Sequence, residues 1–380
     1  MEIKKPTLFA VYSVWGNQWL KLAMFMHKWC EDINLLVSTD SILCSANRRF
    51  EVITRHGLSK GLLKTRREYQ TFMTKKKKDF PYLSQYLHEF EKPLRRVSSK
   101  FMLDSGGYGF TKIFETNNIP AQLNARVPNL DKYWNNDDDE SQNIVLEKQL
   151  PLKPDILITL DKVVSPNESF LEKRKKVEFN LKCAKVALVN KQERKIRNTS
   201  LFAAVHGHGS TSLNNSEEYY ANTREYMHSL LQFEDETNVK YDGFSIGSLV
   251  PISDENTLQA IACAVRDTLK SERRKTPIHG LGASSNKKIA LLYRCGVQIF
   301  DTNLHMKNAR NRLVYHPYKQ TYISTHNISK DEWNCDCKIC SNYPWEIITE
   351  NRPEVREVST VLISLHNLYS NHLKFLKTLR

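Results

Sequence analysis

The sequence predicts an α/β protein built as a (β/α)8 TIM barrel. Three observations lead there. Eight short apolar runs have the length of buried strands rather than helices. From the third run onward, most end in a polar or glycine-rich corner. Between several of them lie stretches with helical spacing. Strand–helix alternation places a parallel sheet inside a ring of helices, with chemistry at the strand ends. An open doubly wound sheet is the competing architecture, and eight runs favour closure.

The runs are residues 8–14, 33–37, 101–103, 156–160, 201–205, 243–246, 277–281 and 297–300. Their corners include Asp104-Ser105-Gly106-Gly107, Asp161, His206-Gly207, Gly247-Ser248, Gly280-Leu281-Gly282 and Asp301. Helices are expected over 19–30, 172–189, 218–231 and 256–269. In the last, Leu258, Ile261, Ala264 and Val265 recur at helical intervals. Residues 117–149 contain Asn135-Asn136-Asp137-Asp138-Asp139-Glu140 and read as a surface loop. They lack the alternating oxygens, central glycine and distal glutamate of an EF-hand, so calcium is not expected.

A hydrophobic fraction of 40% allows a substantial core and argues against global disorder. The formal charge of +14 suits a polyanionic partner. Residues 45–100 form a basic insertion in the barrel repeat. It carries Lys60, Lys64, Arg66, Arg67, Lys75, Lys76, Lys77 and Lys78, with Tyr69, Phe72, Phe80 and Tyr82 among or just beyond them. Bases can meet phosphates and aromatics can stack on exposed nucleobases, so nucleic-acid contact is expected here. A solvated basic helix is the plainer reading. Further bases stand at Arg273, Arg274, Lys307 and Arg312.

Asp301 closes the last apolar run and is followed by a basic segment. A carboxylate there can attack a sugar carbon, hold a metal or orient a ligand. A strand-end aspartate that caps the next turn is the competing reading. The cysteines divide into two groups. Cys30, Cys44, Cys183, Cys263 and Cys295 are scattered, mostly among apolar neighbours, and read as reduced core residues. Cys335, Cys337 and Cys340 put three thiols within six residues, which points to a metal. His366, in an apolar helical stretch, is the natural fourth donor; His326 and His372 suit the role less well. Three thiolates and one imidazole form a closed set, so the zinc is expected to be structural. The expected organisation is a catalytic barrel over 1–330, with the insertion at about 45–100, and a zinc-binding subdomain over 331–380 packed on it.

These pieces together resemble the tRNA-guanine transglycosylase superfamily, which exchanges guanine for a 7-deazaguanine base. The resemblance runs from about residue 100 to the C-terminus. It rests on Asp104-Ser105-Gly106-Gly107-Tyr108, on Phe300-Asp301 with Lys307-Asn308-Ala309-Arg310, and on Cys335, Cys337, Cys340 and His366. It implies that Asp301 attacks C1′ of the target nucleoside and that Asp104 is the general acid and base. It further implies that Asp161 reads the pyrimidine edge of the bound base and Tyr108 stacks on it. Ser105, Gly106, His206, Gly247, Ser248 and Arg310 complete the expected substrate set. No organic cofactor is implied. The target base must be flipped out or already unpaired.

Several positions depart from the family pattern. Gly109 stands where glutamine is usual, His206 replaces a base-binding glutamine, Ser248 replaces glycine, and His279-Gly280-Leu281-Gly282 replaces a Met-Gly-Val-Gly-like corner. His206, His208 and His279 are candidates for a local cluster in the base pocket. The chain looks most like the divergent branch that acts on DNA, carried by phages and bacterial DNA-modification clusters. DNA is therefore the expected polymer, with tRNA as the alternative, and a free 7-deazaguanine base is the second substrate. A catalytically silent nucleic-acid-binding protein on the same fold is a third reading. A homodimer is a candidate assembly. No signal-peptide pattern and no apolar stretch of about 18 residues occur, so a cytoplasmic location without a membrane span is expected, in host cytoplasm if the chain is phage-encoded.

Overall fold

The structure is a computed structural model that describes residues 5–11, 33–44, 100–209, 215–351 and 356–379, without the side chains of 357 and 358. Eight strands close into one barrel in sequence order. They are β1 (Thr7–Val11), β2 (Asn34–Ser38), β3 (Phe101–Asp104), β4 (Ile156–Ile158), β5 (Ser200–Val205), β6 (Gly243–Ile246), β7 (Ile278–Gly280) and β8 (Ile299–Thr302). Each corresponds to one of the expected apolar runs. The ladders from β3 to β8 are parallel, and the Thr7 amide donates to the Gln298 carbonyl beside β8. Every residue of β4, β6 and β7 is buried, as expected of parallel strands covered on both faces.

The helices follow the strands. After β2 comes α1 (Thr39–Cys44), and after β3 come α2 (Gly107–Glu115), α3 (Ala121–Arg126), α4 (Leu130–Asn135) and α5 (Glu140–Gln149). Then come α6 (Phe170–Glu193), α7 (Ser216–Thr237), α8 (Glu255–Ser271), α9 (Asn286–Arg294) and α10 (Leu304–Arg310). Their starts are written in the sequence. Ser169 and Glu172 form a reciprocal capping box on α6, while Asn215, Asp254 and Ser285 cap α7, α8 and α9. The expected helix at 19–30 lies outside the described residues, as does the insertion with Lys60, Lys64, Arg66, Arg67 and Lys75 to Lys78.

The surface loop expected over 117–149 is instead α3, α4 and α5. Leu123, Val127, Leu130, Trp134 and Val145 from this segment share one buried cluster with Leu43, Cys44, Phe110, Phe114, Leu160, Phe179 and Cys183. Trp134 meets Phe110, Phe114 and Phe179 at ring-centroid distances of 5.9, 5.7 and 5.6 Å. Burying one such aromatic contributes about 1.5–3 kcal/mol, which outweighs the poor helix propensity of the Asn/Asp-rich turns.

Two compact units divide the described residues. The first comprises 5–9, 36–44, 100–209 and 215–301; the second comprises 10–11, 33–35, 302–351 and 356–379. The second contains α10, the hairpin β9 (Leu313–His316) with β10 (Thr321–Ser324), α11 (Trp345–Ile348) and α12 (Arg356–Asn367). A π-helical turn over Leu368–Leu373 and α13 (Lys374–Thr378) complete it. No helix among the described residues is long and apolar enough to cross a membrane.

Candidate active site

Barrel strands deliver their C-terminal corners to one end, and there the acids collect. Asp104 ends β3, Asp161 follows β4 and Asp301 lies in β8. Asp161 and Asp301 are buried, at 3% and 4% exposure. Burial, and then the nearby charges of Asp161, Asp40 and Asp301, push the Asp104 carboxyl up to about 8. At neutral pH Asp104 therefore holds a proton that it can give away.

Asp301 is held from one side. His279 Nε2 lies 2.9 Å from its Oδ1, and the Gly282 amide donates to the same oxygen at 2.8 Å. Gly282 has φ +76, a conformation that glycine adopts without cost and that aims its N–H at the carboxylate. Ser245 Oγ sits 2.8 Å from His279 Nδ1. Ser245 and His279 face each other in the β6–β7 register. A neutral ring that donates through Nε2 accepts the Ser245 proton at Nδ1. Both donors fall on Oδ1. Oδ2 is thus the oxygen left to act.

Asp161 has a parallel arrangement. Ser105 Oγ donates to its Oδ1 at 2.5 Å and accepts from the Gly107 amide at 3.1 Å. His206 Nε2 stands 3.2 Å from Oδ2, outside hydrogen-bond alignment. His206 Nδ1 is 2.8 Å from Ser248 Oγ, which also accepts from the Val164 amide at 2.9 Å. Ser248 holds φ +58 without being glycine, at a backbone cost of about 1–2 kcal/mol. Gly247 gives His206 its room, because a Cβ there would lie 2.6 Å from the imidazole Cε1. Gly107 does the same for Asp161, whose carbonyl would stand 1.9 Å from an added Cβ.

His206 serves Asp161 and His279 serves Asp301. His208 is partly buried, with its imidazole pushed toward neutrality by burial. Tyr108 projects from the first turn of α2 at 57% exposure, with Lys112 Nζ 4.4 Å from the centre of its ring. Gly106 is the left-handed residue that starts α2.

Four contributors escaped the sequence reading. Asp40, in α1, is buried and accepts a short hydrogen bond from Ser38. Gln142 Oε1 accepts the Leu160 amide at 2.6 Å, and Gln149 Nε2 donates to Thr39 Oγ1 at 2.8 Å. Both glutamines lie on α5 and fix the corners of β4 and β3. Asn180 pins the backbone after Asp161 through both the Lys162 N–H and C=O, at 2.6 and 2.9 Å.

The cationic residues expected at nucleic acid are divided. Arg273 is exposed at the end of α8. Arg274 pairs closely with Glu234 and donates to the Tyr241 carbonyl at 3.3 Å. Lys307 and Arg310 are exposed on α10. Arg312 is 5% exposed and gives its guanidinium to Ser359 Oγ and to the Thr349 and Glu350 carbonyls at 2.8, 2.6 and 3.2 Å. Its environment is protein interior.

In the second unit, Cys335, Cys337 and Cys340 surround His366. Their Sγ atoms lie 3.9, 3.3 and 3.3 Å from His366 Nδ1, and all four donor atoms lie within 4.8 Å of one another. His366 Nε2 lies 2.8 Å from the Tyr315 carbonyl, which fixes the N–H there and frees the Nδ1 lone pair. This Cys3His set fits a closed structural Zn2+ site with every protein position filled. No other group of three or more metal donors occurs among the described residues.

A family model described as queuine tRNA-ribosyltransferase matches residues 67–380. Similar proteins include the queuine tRNA-ribosyltransferase of Helicobacter pylori strain P12. It is 25% identical over 305 residues, covering 77% of this chain and 73% of the relative. That of Helicobacter acinonychis strain Sheeba is 24% identical over 304 residues, with 77% and 73% covered. That of Dictyoglomus turgidum strain DSM 6724 is 23% identical over 298 residues, with 74% and 67% covered.

Proposed function

The chain belongs to the queuine tRNA-ribosyltransferase family, and from that premise and the geometry of the barrel end we propose guanine exchange by double displacement at Asp301. Membership makes the chain a pentosyltransferase of the base-exchange type. The observation that carries the residue assignment is the Asp301 carboxylate restrained at Oδ1 by His279 and Gly282, beside an Asp104 carboxyl that burial and neighbouring acids push up.

In the first step Asp301 Oδ2 attacks C1′ of the target nucleoside. The glycosidic C–N bond breaks, its electrons leave with guanine, and Asp104 supplies the proton that neutralises the departing purine. In the second step the Asp104 carboxylate takes the N9 proton of the arriving base. That nitrogen attacks C1′, and the ester bond to Asp301 breaks. Two inversions return the original configuration, and one glycosidic bond replaces another without ATP. His279 and Gly282 stabilise the carboxylate at Oδ1, which makes Asp301 a competent leaving group in the second step. Asp161 accepts from the N–H groups of the bound purine, and His206 Nε2 stands beside it to face the same edge. Tyr108 offers an exposed ring for stacking.

The relatives' names favour tRNA as the polymer. DNA, which the departures in the pocket suggest, remains the second reading because Gly109, His206 and Ser248 all lie on groups that line or support it. The test offers tRNA and DNA of matching target sequence, each carrying labelled guanine, together with 7-cyano- or 7-aminomethyl-7-deazaguanine. Label release from tRNA is expected. It should fall at least about a thousandfold in Asp301→Asn and about tenfold or more in His279→Leu. Release from DNA beside inert tRNA would move the reading to DNA, and release from neither would overturn base exchange.

A further inference from the structure

The corner between β6 and α8 joins the surroundings of Asp161 to those of Asp301. At one end Ser248 Oγ lies 2.8 Å from His206 Nδ1, on the Asp161 side. At the other, a Cβ on Gly282 would lie 2.5 Å from Val250 Cγ2. Val250 thus fills the side-chain space of the residue whose amide holds Asp301. Leu249 and Ile252 are buried, whereas Val250 between them is 66% exposed. Ser248 has a left-handed backbone, and such a conformation persists only where its surroundings hold it. A lysine does the holding. Lys288 Nζ donates to the Leu249 carbonyl at 3.0 Å and to the Ile252 carbonyl at 2.8 Å. Its own amide donates to the capping Ser285 hydroxyl at 3.2 Å, in the first turn of α9. The adjacent Lys287 stays at the surface and pairs with Glu255.

A lysine that turns inward loses rotamer freedom, and an ammonium half removed from water needs acceptors. The carbonyls of Leu249 and Ile252 supply them, and in return the charge closes the corner. We propose that Lys288 is the positioning residue of this corner. It sets the His206 ring beside Asp161 and the Val250 side chain against Gly282, and so the hold on the incoming base. The consequence for exchange rests on the base-exchange reading; the contacts do not. Without the ammonium, two carbonyls lose their partner and Ser248 is free to leave its left-handed conformation. Its hydroxyl then withdraws from His206 Nδ1 and from the Val164 amide.

The test compares Lys288→Met with Lys191→Met in the full chain. Lys191 makes the same kind of bond, to the Lys240 carbonyl at 2.6 Å, but before β6 rather than after it. It therefore controls for a general loss of stability. Two readings are taken. The first needs no ligand: the imidazole 15N spectrum, with the His206 signals identified by their loss in His206→Gln. The second is calorimetric affinity for free 7-cyano-7-deazaguanine. Lys288→Met should shift the His206 signals and weaken base binding about tenfold, whereas Lys191→Met should leave the signals in place and the affinity within about twofold. Lys288→Arg keeps the charge and offers a donor to each carbonyl, so its affinity should stay within about threefold of wild type. If Lys288→Met does not fold, Lys288→Gln, which can still donate to one carbonyl, carries the same expectations. Unmoved His206 signals, or an equal loss of affinity in Lys191→Met, would overturn the assignment. A wild type that binds no base would sink the base-exchange reading, while the His206 shift in Lys288→Met would still support the positioning.

Discussion

Asp104 is where pocket chemistry and fold stability meet. An ordinary aspartate titrates near 3.8; here burial and then the charges of Asp161, Asp40 and Asp301 raise it to about 8. A carboxyl raised on folding stabilises the native state only while protonated. That contribution is whole below about pH 4 and is lost as pH rises through about 8. Asp104→Asn keeps the shape and removes the ionisation. It is expected to abolish exchange and to raise the thermal midpoint by a few degrees at pH 8, with a gain that grows between pH 5 and pH 8. A difference constant across that range would contradict the assignment. Asp104, Asp161 and Asp301 were legible because each closes an apolar run, and a strand end is a small target for a sequence reader. Asp40 was not. Ser38-Thr39-Asp40 follows an apolar run like many helix starts, and nothing local says that its carboxylate will rest against Gly109. His279 was visible as a residue but not as a partner, since the register that places it between Ser245 and Asp301 is a property of three strands.

At the scale of elements, the eight strands were readable because burial on both faces makes each a continuous apolar run. The segment over α3 to α5 was not, and α5 explains why. Its buried face carries Ser141, Gln142 and Gln149 beside Val145 and Leu146, so the apolar periodicity that announces a helix is diluted by polar residues fixing the pocket corners. The metal segment was legible for the opposite reason. Closely spaced thiols are rare without a metal, and the fourth donor stood on a nearby apolar helix. His366 lies near the end of α12, just before the π-helical turn, and Ser370 in that turn donates to the His366 carbonyl at 2.7 Å. Cys337→Ala is expected to lower bound zinc from about one equivalent per chain and to reduce folded yield, since structural zinc stabilises the fold directly. Metal analysis of the purified variant checks this, and full zinc content with wild-type thermal stability would reject the structural role.

For the whole molecule, net charge proved a coarse guide. Some of the positive charge is spent internally. Lys173, at 1% exposure, donates to the Gly209 carbonyl at 3.0 Å, and Lys162 pairs with Asp137 beneath the Trp134 and Phe179 rings. Arg312 is likewise interior. The family is carried by the barrel end and the Cys3His set together, whereas the polymer depends on groups that phosphate attraction alone cannot distinguish. The claim beneath all of this is a transient ester between Asp301 and a sugar carbon. The most direct measurement is intact-protein mass analysis after denaturing quench of a reaction with a short substrate polynucleotide and no incoming base. An adduct equal to the substrate minus guanine is expected, mapped by proteolysis to Asp301 and absent in Asp301→Asn. An enzyme that exchanges base with no such adduct, or with one on another residue, would contradict it.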